Sequence, residues 1–319
     1  MRELNNMNVC VIGEGAFGSK HIEALKNIGQ VRSISLVGAD PATTKSVAKK
    51  YAIEDFSNDY AQALARDDID AVILATPTHM HAEQAIQALT ANKHVLVEIP
   101  MADNIIDAQA LVDAATRSNK VAMVGHVRRF NPSHQWIHQK IRTGTLSIQH
   151  LVVETFFLRR KNTNALGEAR SWTDHLLWHH ACHTVDLFQY QTGEVVSQCY
   201  ALQGPIHSEL GIALDMSIIM KVPSGAVCTL ALSFNNDGPL GSNFRYVCDN
   251  GTYLARYDDL FDGQSNPIDL TDVAVSMNGI ELIDREFISA ISEEREPNAS
   301  VITCFRAMQT LDRLAQCLK

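Results

Sequence analysis

Hydrophobic positions along this chain follow two periods. Near the N-terminus Val9-Cys10-Val11-Ile12 runs straight into Gly13-Glu14-Gly15-Ala16-Phe17-Gly18. Ile22, Leu25 and Ile28 then share one face of a helix predicted over residues 20–28. Strand signals recur at 31–37, 71–75, 94–97 and 121–124, with helical patterns between them at about 43–51, 60–66, 81–91 and 105–118. Strands alternating with helices predict a mostly parallel sheet with right-handed crossovers. The rhythm then changes. Residues 145–160 predict a long strand, followed by shorter ones at 195–202, 213–222, 226–234, 244–249 and 251–255, with a hairpin over 221–227. Segments 204–209 and 258–265 read as loops, and 282–293 and 301–318 as amphipathic helices, the last packing back on the rest of the chain. The expectation is an α/β protein with one domain over residues 1–125 and a second over 126–319.

Strand, glycine turn and helix in that order identify the first domain as a Rossmann doubly wound sheet that binds a dinucleotide. Gly13 permits the tight turn, Gly15 removes the Cβ that would block a pyrophosphate, and Gly18 lets helix and strand pack closely. The first helical turn offers N–H groups and partial positive charge to the phosphates. Ligands of such sheets lie at the carboxyl ends of the strands. That rule selects Gly13, Glu14, Gly15, Ala16, Phe17, Gly38, Asp40, Thr76, Pro77, His81, Glu98 and Ile99 as cofactor-binding candidates along one lip of a cleft. The second strand ends Leu36-Val37-Gly38-Ala39-Asp40-Pro41. With Gly38 at the ribose-sensing position a 2′-phosphate meets no like charge, and Thr43, Thr44 and Lys45 can help hold it. NADP is therefore expected, with NAD as the alternative. Asp40, followed by Pro41, reads as a helix N-cap rather than a ribose ligand.

Composition narrows the class. The 319 residues are 46% hydrophobic and carry a net charge of −9. No Lys/Arg block or basic-aromatic stripe is present, which argues against nucleic acid as a partner. Seven scattered cysteines suggest reduced thiols and a cytoplasmic setting. Residues 1–8 are polar, and no apolar run has the length of a membrane span.

Several motifs in chain order resemble the glucose-fructose oxidoreductase and inositol dehydrogenase family of NAD(P)-dependent oxidoreductases. They are Thr76-Pro77-Thr78-His79-Met80-His81, Asn92 to Pro100 ending Glu98-Ile99-Pro100, Val124 to Pro132, and His183-Thr184-Val185-Asp186. The resemblance implies a C-terminal α/β domain built on a large open, mainly antiparallel sheet, and a homodimer through sheet faces. It also marks two departures. The family usually has a lysine where this chain has Ile99, and often an aspartate where it has His179. Ser171 to Leu187, with the glycine turn, is similar more narrowly to the NADP-dependent 4-carboxy-2-hydroxymuconate-6-semialdehyde dehydrogenases. These oxidise a cyclic hemiacetal to 2-pyrone-4,6-dicarboxylate in protocatechuate 4,5-cleavage.

On an α-helix His175, His179 and His183 would form one stripe, with Asp186 a turn beyond His183. Removing a hydride from a carbinol carbon needs a base for the hydroxyl proton, and imidazole suits that task near neutral pH. His179 or His183 is expected to be the base, the other a hydrogen-bond partner of the substrate, with Asp186 orienting a ring. His175 and His180 read as structural or solvent-facing. His-x-x-x-His also has zinc spacing, but without a third ligand no metal is expected. Trp172 and Trp178 are candidates to stack on a flat substrate ring. A hemiacetal hydroxyl is more acidic than a sugar alcohol, so Ile99 in place of lysine fits this substrate. Its two carboxylates should draw arginines, with Arg128, Arg159 and Arg160 foremost and Arg129, Lys161, Arg170 and Arg245 behind them. The alternatives are a sugar or polyol dehydrogenase of the same family, or a cofactor-binding regulator without chemistry.

Overall fold

A computed structural model of the chain describes residues 6–163 and 173–318. It divides into two units, Met1–Val127 with Ile280–Phe305, and Arg128–Gly279 with Arg306–Lys319.

In the first unit the apolar runs become strands covered on both faces. They are β1 (Met7–Ile12), β2 (Val31–Val37), β3 (Phe56–Ser57), β4 (Ala71–Leu74), β5 (His94–Val97) and β6 (Ala122–Val124). Between them lie α1 (Ala16–Leu25), α2 (Pro41–Lys50), α3 (Tyr60–Ala65), α4 (His81–Thr90) and α5 (Ile105–Arg117). The sheet order is β3-β2-β1-β4-β5-β6, and every pairing is parallel. Residues 71–74 are fully buried, as expected of a strand with helices on both sides. Short polar side chains start the helices: Asp40 accepts from the Thr43 N–H (2.8 Å), Asp59 from Gln62 (2.9 Å) and Asn104 from Asp107 (2.9 Å). The order reverses between β1 and β4, the switch point where such sheets bind ligands. There the register pairs Ile12 with Leu74, so Gly13 and Ala75 leave the sheet side by side.

The second unit begins with α6 (Pro132–Arg142), absent from the sequence-based expectation although Asn131-Pro132 is a helix-start signal. Next come β7 (Ile148–Phe156), shorter than the strand expected over 145–160, and α7 (Cys182–Thr192). The remaining strands are β8 (Gln198–Gln203), β9 (Asp215–Lys221), β10 (Val227–Ser233), β11 (Gly241–Cys248), β12 (Gly251–Arg256) and β13 (Asp259–Asp262). They form a sheet of order β13-β12-β11-β7-β10-β9-β8. Only the β7–β10 pairing is parallel; the others are antiparallel. β13 corrects the loop expected over 258–265. At four residues it is too short to show a period, and its pairing with β12, Leu254 opposite Phe261 and Ala255 opposite Leu260, makes it a strand. β9 alternates strictly between exposed and buried residues, so one sheet face is covered and the other is not. The uncovered face carries Tyr200, Leu202 and Ile219, each more than half exposed. Two helices close the chain, α8 (Gly279–Ser292) and α9 (Val301–Cys317). α8 buries Ile283, Phe287, Ile288 and Ile291, an apolar stripe at helical spacing. Among the described residues no helix is long and apolar enough to cross a membrane.

Candidate active site

The glycine turn has the form a dinucleotide needs. Gly13 sits at φ +115°, and a Cβ on it would run into the Ala75 carbonyl; one on Gly18 would run into the Gly13 carbonyl. These two glycines are required by the backbone itself. Gly15 differs, because a Cβ there would meet nothing within 4 Å. It faces open space at the N-cap of α1, where no side-chain cap takes up the first-turn N–H groups. Main-chain donors with open approach are what a pyrophosphate requires, so the residues fit a nicotinamide dinucleotide.

The end of β2 differs from the expectation of a site without negative charge. The Glu14 carboxylate reaches over from the glycine turn and accepts from the N–H groups of Ala39 (3.0 and 3.1 Å) and Asp40 (2.9 Å). A Cβ on Gly38 would stand 2.8 Å from that carboxyl group. Asp40 is the N-cap that its Pro41 neighbour announces, and the Thr43 N–H and hydroxyl hold its carboxylate in that role. The Thr44 hydroxyl donates to the Asp40 carbonyl (2.6 Å).

At the ends of β4 and β5, His81 is fully buried, with Nε2 2.7 Å from the Thr76 carbonyl and Nδ1 2.8 Å from that of Pro100, one of which accepts from the neutral ring. Burial lowers its pKa against the pull of those carbonyls. The Thr76 hydroxyl donates to Gln84 (2.6 Å), and Pro77 leads into the turn before α4. Glu98 belongs to a group that sequence reasoning missed. His21 of α1 lies with Nδ1 2.7 Å from Asp284 of α8 and Nε2 3.1 Å from Glu98. Burial opposes a charge on His21, but the two carboxylates outweigh it and raise its pKa to about 10. His21 and Asp284 are 263 positions apart, and no local pattern signals this contact. Ile99, half-buried, follows Glu98 and donates its N–H to the Glu98 carboxylate (3.2 Å).

In the second unit the expected α-helical stripe of histidines does not form as such. Leu176–Ala181 is a π-helix, and α7 begins only at Cys182. His175 is extended and caps the segment, so it stands off the helix rather than on its face. The wider π-turn also changes the phase between His179 and His183 from that of four residues on an α-helix. The His175 N–H donates to Nδ1 of His179 (2.9 Å). A neutral ring with Nδ1 accepting carries its proton on Nε2. His180 sits edge-on to Phe234, with 4.9 Å between ring centroids. His183 and Trp178 are half-buried.

Asp186, almost fully buried on α7, receives a two-pronged ion pair from Arg129, with Nε at 2.8 Å and Nη2 at 2.6 Å. Arg129 also lies over the Tyr190 ring (4.9 Å). The candidate carboxylate-binding arginines each have partners of their own. Arg128 is buried between the rings of Phe244 (5.4 Å) and Tyr257 (5.1 Å), and burial lowers its pKa. Arg159 pairs with Asp174 and lies over Phe234. Arg160 holds Asn235. Arg170 and Trp172 lie outside the described residues.

Known proteins share both halves. The family model described as "Oxidoreductase family, NAD-binding Rossmann fold" matches residues 7–126, and "Bacterial oxidoreductases, C-terminal" matches residues 132–274. The 4-carboxy-2-hydroxymuconate-6-semialdehyde dehydrogenase of Sphingobium sp. (strain SYK-6) is 59% identical over 309 residues, covering 96% of this chain and 98% of that protein. Myo-inositol 2-dehydrogenase of Thermotoga maritima is 24% identical over 226 residues, covering 69% of this chain and 65% of that protein. Among solved structures, a levoglucosan dehydrogenase in complex with NADH and levoglucosan superposes with a TM-score of 0.85 at 20% identity, covering 98% of this chain and 97% of that one. At that identity the likeness speaks for the fold alone.

Proposed function

The chain belongs to the oxidoreductase family with an NAD-binding Rossmann fold, and from that premise we propose that it oxidises the cyclic hemiacetal of 4-carboxy-2-hydroxymuconate-6-semialdehyde to 2-pyrone-4,6-dicarboxylate. The single observation that carries this reading is the 59% identity, over nearly the whole length of both chains, to a dehydrogenase of that name. NADP is the proposed cofactor and NAD the alternative. The Ala39 and Asp40 N–H groups can serve a 2′-phosphate once the Glu14 carboxylate they hold gives way.

The bound nicotinamide supplies the hydride acceptor. The protein must take the hydroxyl proton as the carbinol carbon becomes a lactone carbonyl. His183 takes it in this account. Nδ1 of His179 is occupied by the His175 N–H, which leaves Nε2–H as a donor to the substrate rather than a base. Asp186, held by Arg129, positions the α7 segment that bears His183. π-turns recur at functional sites, and this one carries His179. Arg128, Arg159 and Arg160 are the proposed partners of the substrate carboxylates, with Trp178 against the ring. The exposed apolar residues on the uncovered sheet face support a homodimer.

The test is to supply the protocatechuate ring-cleavage product with NADP and with NAD in separate cuvettes. Reduced nicotinamide and the pyrone should appear in equal amounts. Cofactor reduction with sugars or polyols but not with this substrate would replace the reading with the family's more common chemistry. Cofactor binding without reduction of either cofactor would favour a regulator.

A further inference from the structure

Resting on the nicotinamide-dinucleotide reading above, we infer that Glu14 is the residue with which this chain reads the 2′ position of the cofactor's adenosine ribose. β2 ends in Gly38, which has no side chain to offer, and a side chain there would have to displace those of Thr44 and Glu14. A Cβ would collide with the Thr44 hydroxyl and lie 2.8 Å from the Glu14 carboxyl group. Asp40 caps α2, with Oδ1 accepting from the Thr43 N–H (2.8 Å) and hydroxyl (2.7 Å), so the helix end sets its position and it does not span to the end of β2 as Glu14 does. The acid at this corner therefore comes from the glycine turn. Glu14 spans to the N–H groups of Ala39 and Asp40 at 2.9–3.1 Å, and Gly38 provides the bare surface that lets it do so.

A carboxylate accepts and never donates, and its two oxygens have more acceptor positions than two N–H groups fill. A ribose 2′-hydroxyl can donate to what remains, so NAD binds with the Glu14 contacts intact. A 2′-phosphate is also acceptor-only, is anionic, and seeks the same two N–H groups. It must displace Glu14 to reach them. Glu14 is in this way an internal competitor of the 2′-phosphate and a ligand of the 2′-hydroxyl. Its removal should strengthen NADPH binding while weakening NADH binding.

The experiment is a fluorescence titration of NADPH and NADH against the wild-type protein, Glu14→Gln and Glu14→Ala. Unfolding of each variant without cofactor is followed in parallel. The expected result is that the ratio Kd(NADPH)/Kd(NADH) falls by about tenfold in Glu14→Ala, the scale of hydrogen bonds to a charged group. It should also fall in the near-isosteric Glu14→Gln, at unchanged unfolding temperature. A ratio that stays within about twofold of wild type in both folded variants, or that rises, overturns the assignment of Glu14 alone. Failure of the wild-type protein to bind either dinucleotide overturns both this inference and the cofactor reading beneath it.

Discussion

The glycine turn at Gly13–Gly18 and the histidine segment at His175–Asp186 are organised by opposite means. The first is fixed by main-chain space: carbonyls of Ala75 and Gly13 stand where a side chain would begin. The second is fixed by side-chain charge, with the buried Arg129–Asp186 pair gripping α7 behind a π-turn. Backbone-determined geometry travels with residue type and spacing, whereas charge-determined geometry depends on partners far along the chain.

Substitution should separate the two regions. The largest effect is expected from Asp186→Asn, which leaves the Arg129 guanidinium buried without its counter-charge. Breaking such a pair from one side costs about 3–5 kcal/mol, measurable by denaturant unfolding. Joint replacement of Arg129 and Asp186 by apolar residues should recover much of that loss. Gly13→Ala comes next. A non-glycine residue forced to φ +115° costs on the order of 1–3 kcal/mol before any collision is counted. Gly15→Ala should keep wild-type stability and lose cofactor affinity. Equal destabilisation by both alanines would contradict the distinction drawn between these glycines.

The first region was also the more legible. The strands at 31–37 and 94–97 were predicted to the residue, because short stretches rich in Val, Ile and Leu lie between turn signals such as Gly29 and Gly38. The Asp40 cap was legible for the same local reason. The Glu14 contact was not, since the position between two glycines of the turn says nothing about residues 39 and 40 until β1 and β2 are paired. His21 and Asp284 were hidden likewise, each on its own helix. In the second unit the His-x-x-x-His spacing invites an α-helical reading, and nothing in those residue types announces that Leu176–Ala181 winds as a π-helix. β13 is only four residues long and α6 is mostly polar, so neither shows an apolar pattern long enough to read.

The remaining charges are separated by pH and by substrate. His21 has a folded pKa raised to about 10, above an unfolded value of 6.5. The stability it contributes is thus fully present below about pH 6.5, and it is lost as pH rises through the folded value. His21→Gln should lower stability at neutral pH and flatten the decline between neutral and alkaline pH. Thermal melts across that range check both points. The smallest effects belong to the arginines. Arg128→Ala is expected to raise KM for the dicarboxylate by about tenfold, in line with a charged hydrogen bond. Arg160→Ala, at an exposed site, should change it by about twofold or less. No change in KM for Arg128→Ala, Arg159→Ala and Arg160→Ala together would remove the proposed clamp.

The central claim is that His183 takes the substrate's proton while His179 donates a hydrogen bond. The pH dependence of kcat/KM for wild type, His179→Asn and His183→Asn tests it most directly. Wild type should lose activity on the acid side as a neutral imidazole becomes protonated. His183→Asn should fall by about 10²–10⁴-fold and lose that acid limb, while His179→Asn falls less and keeps it. An acid limb and near-wild-type rate retained in His183→Asn would contradict the account.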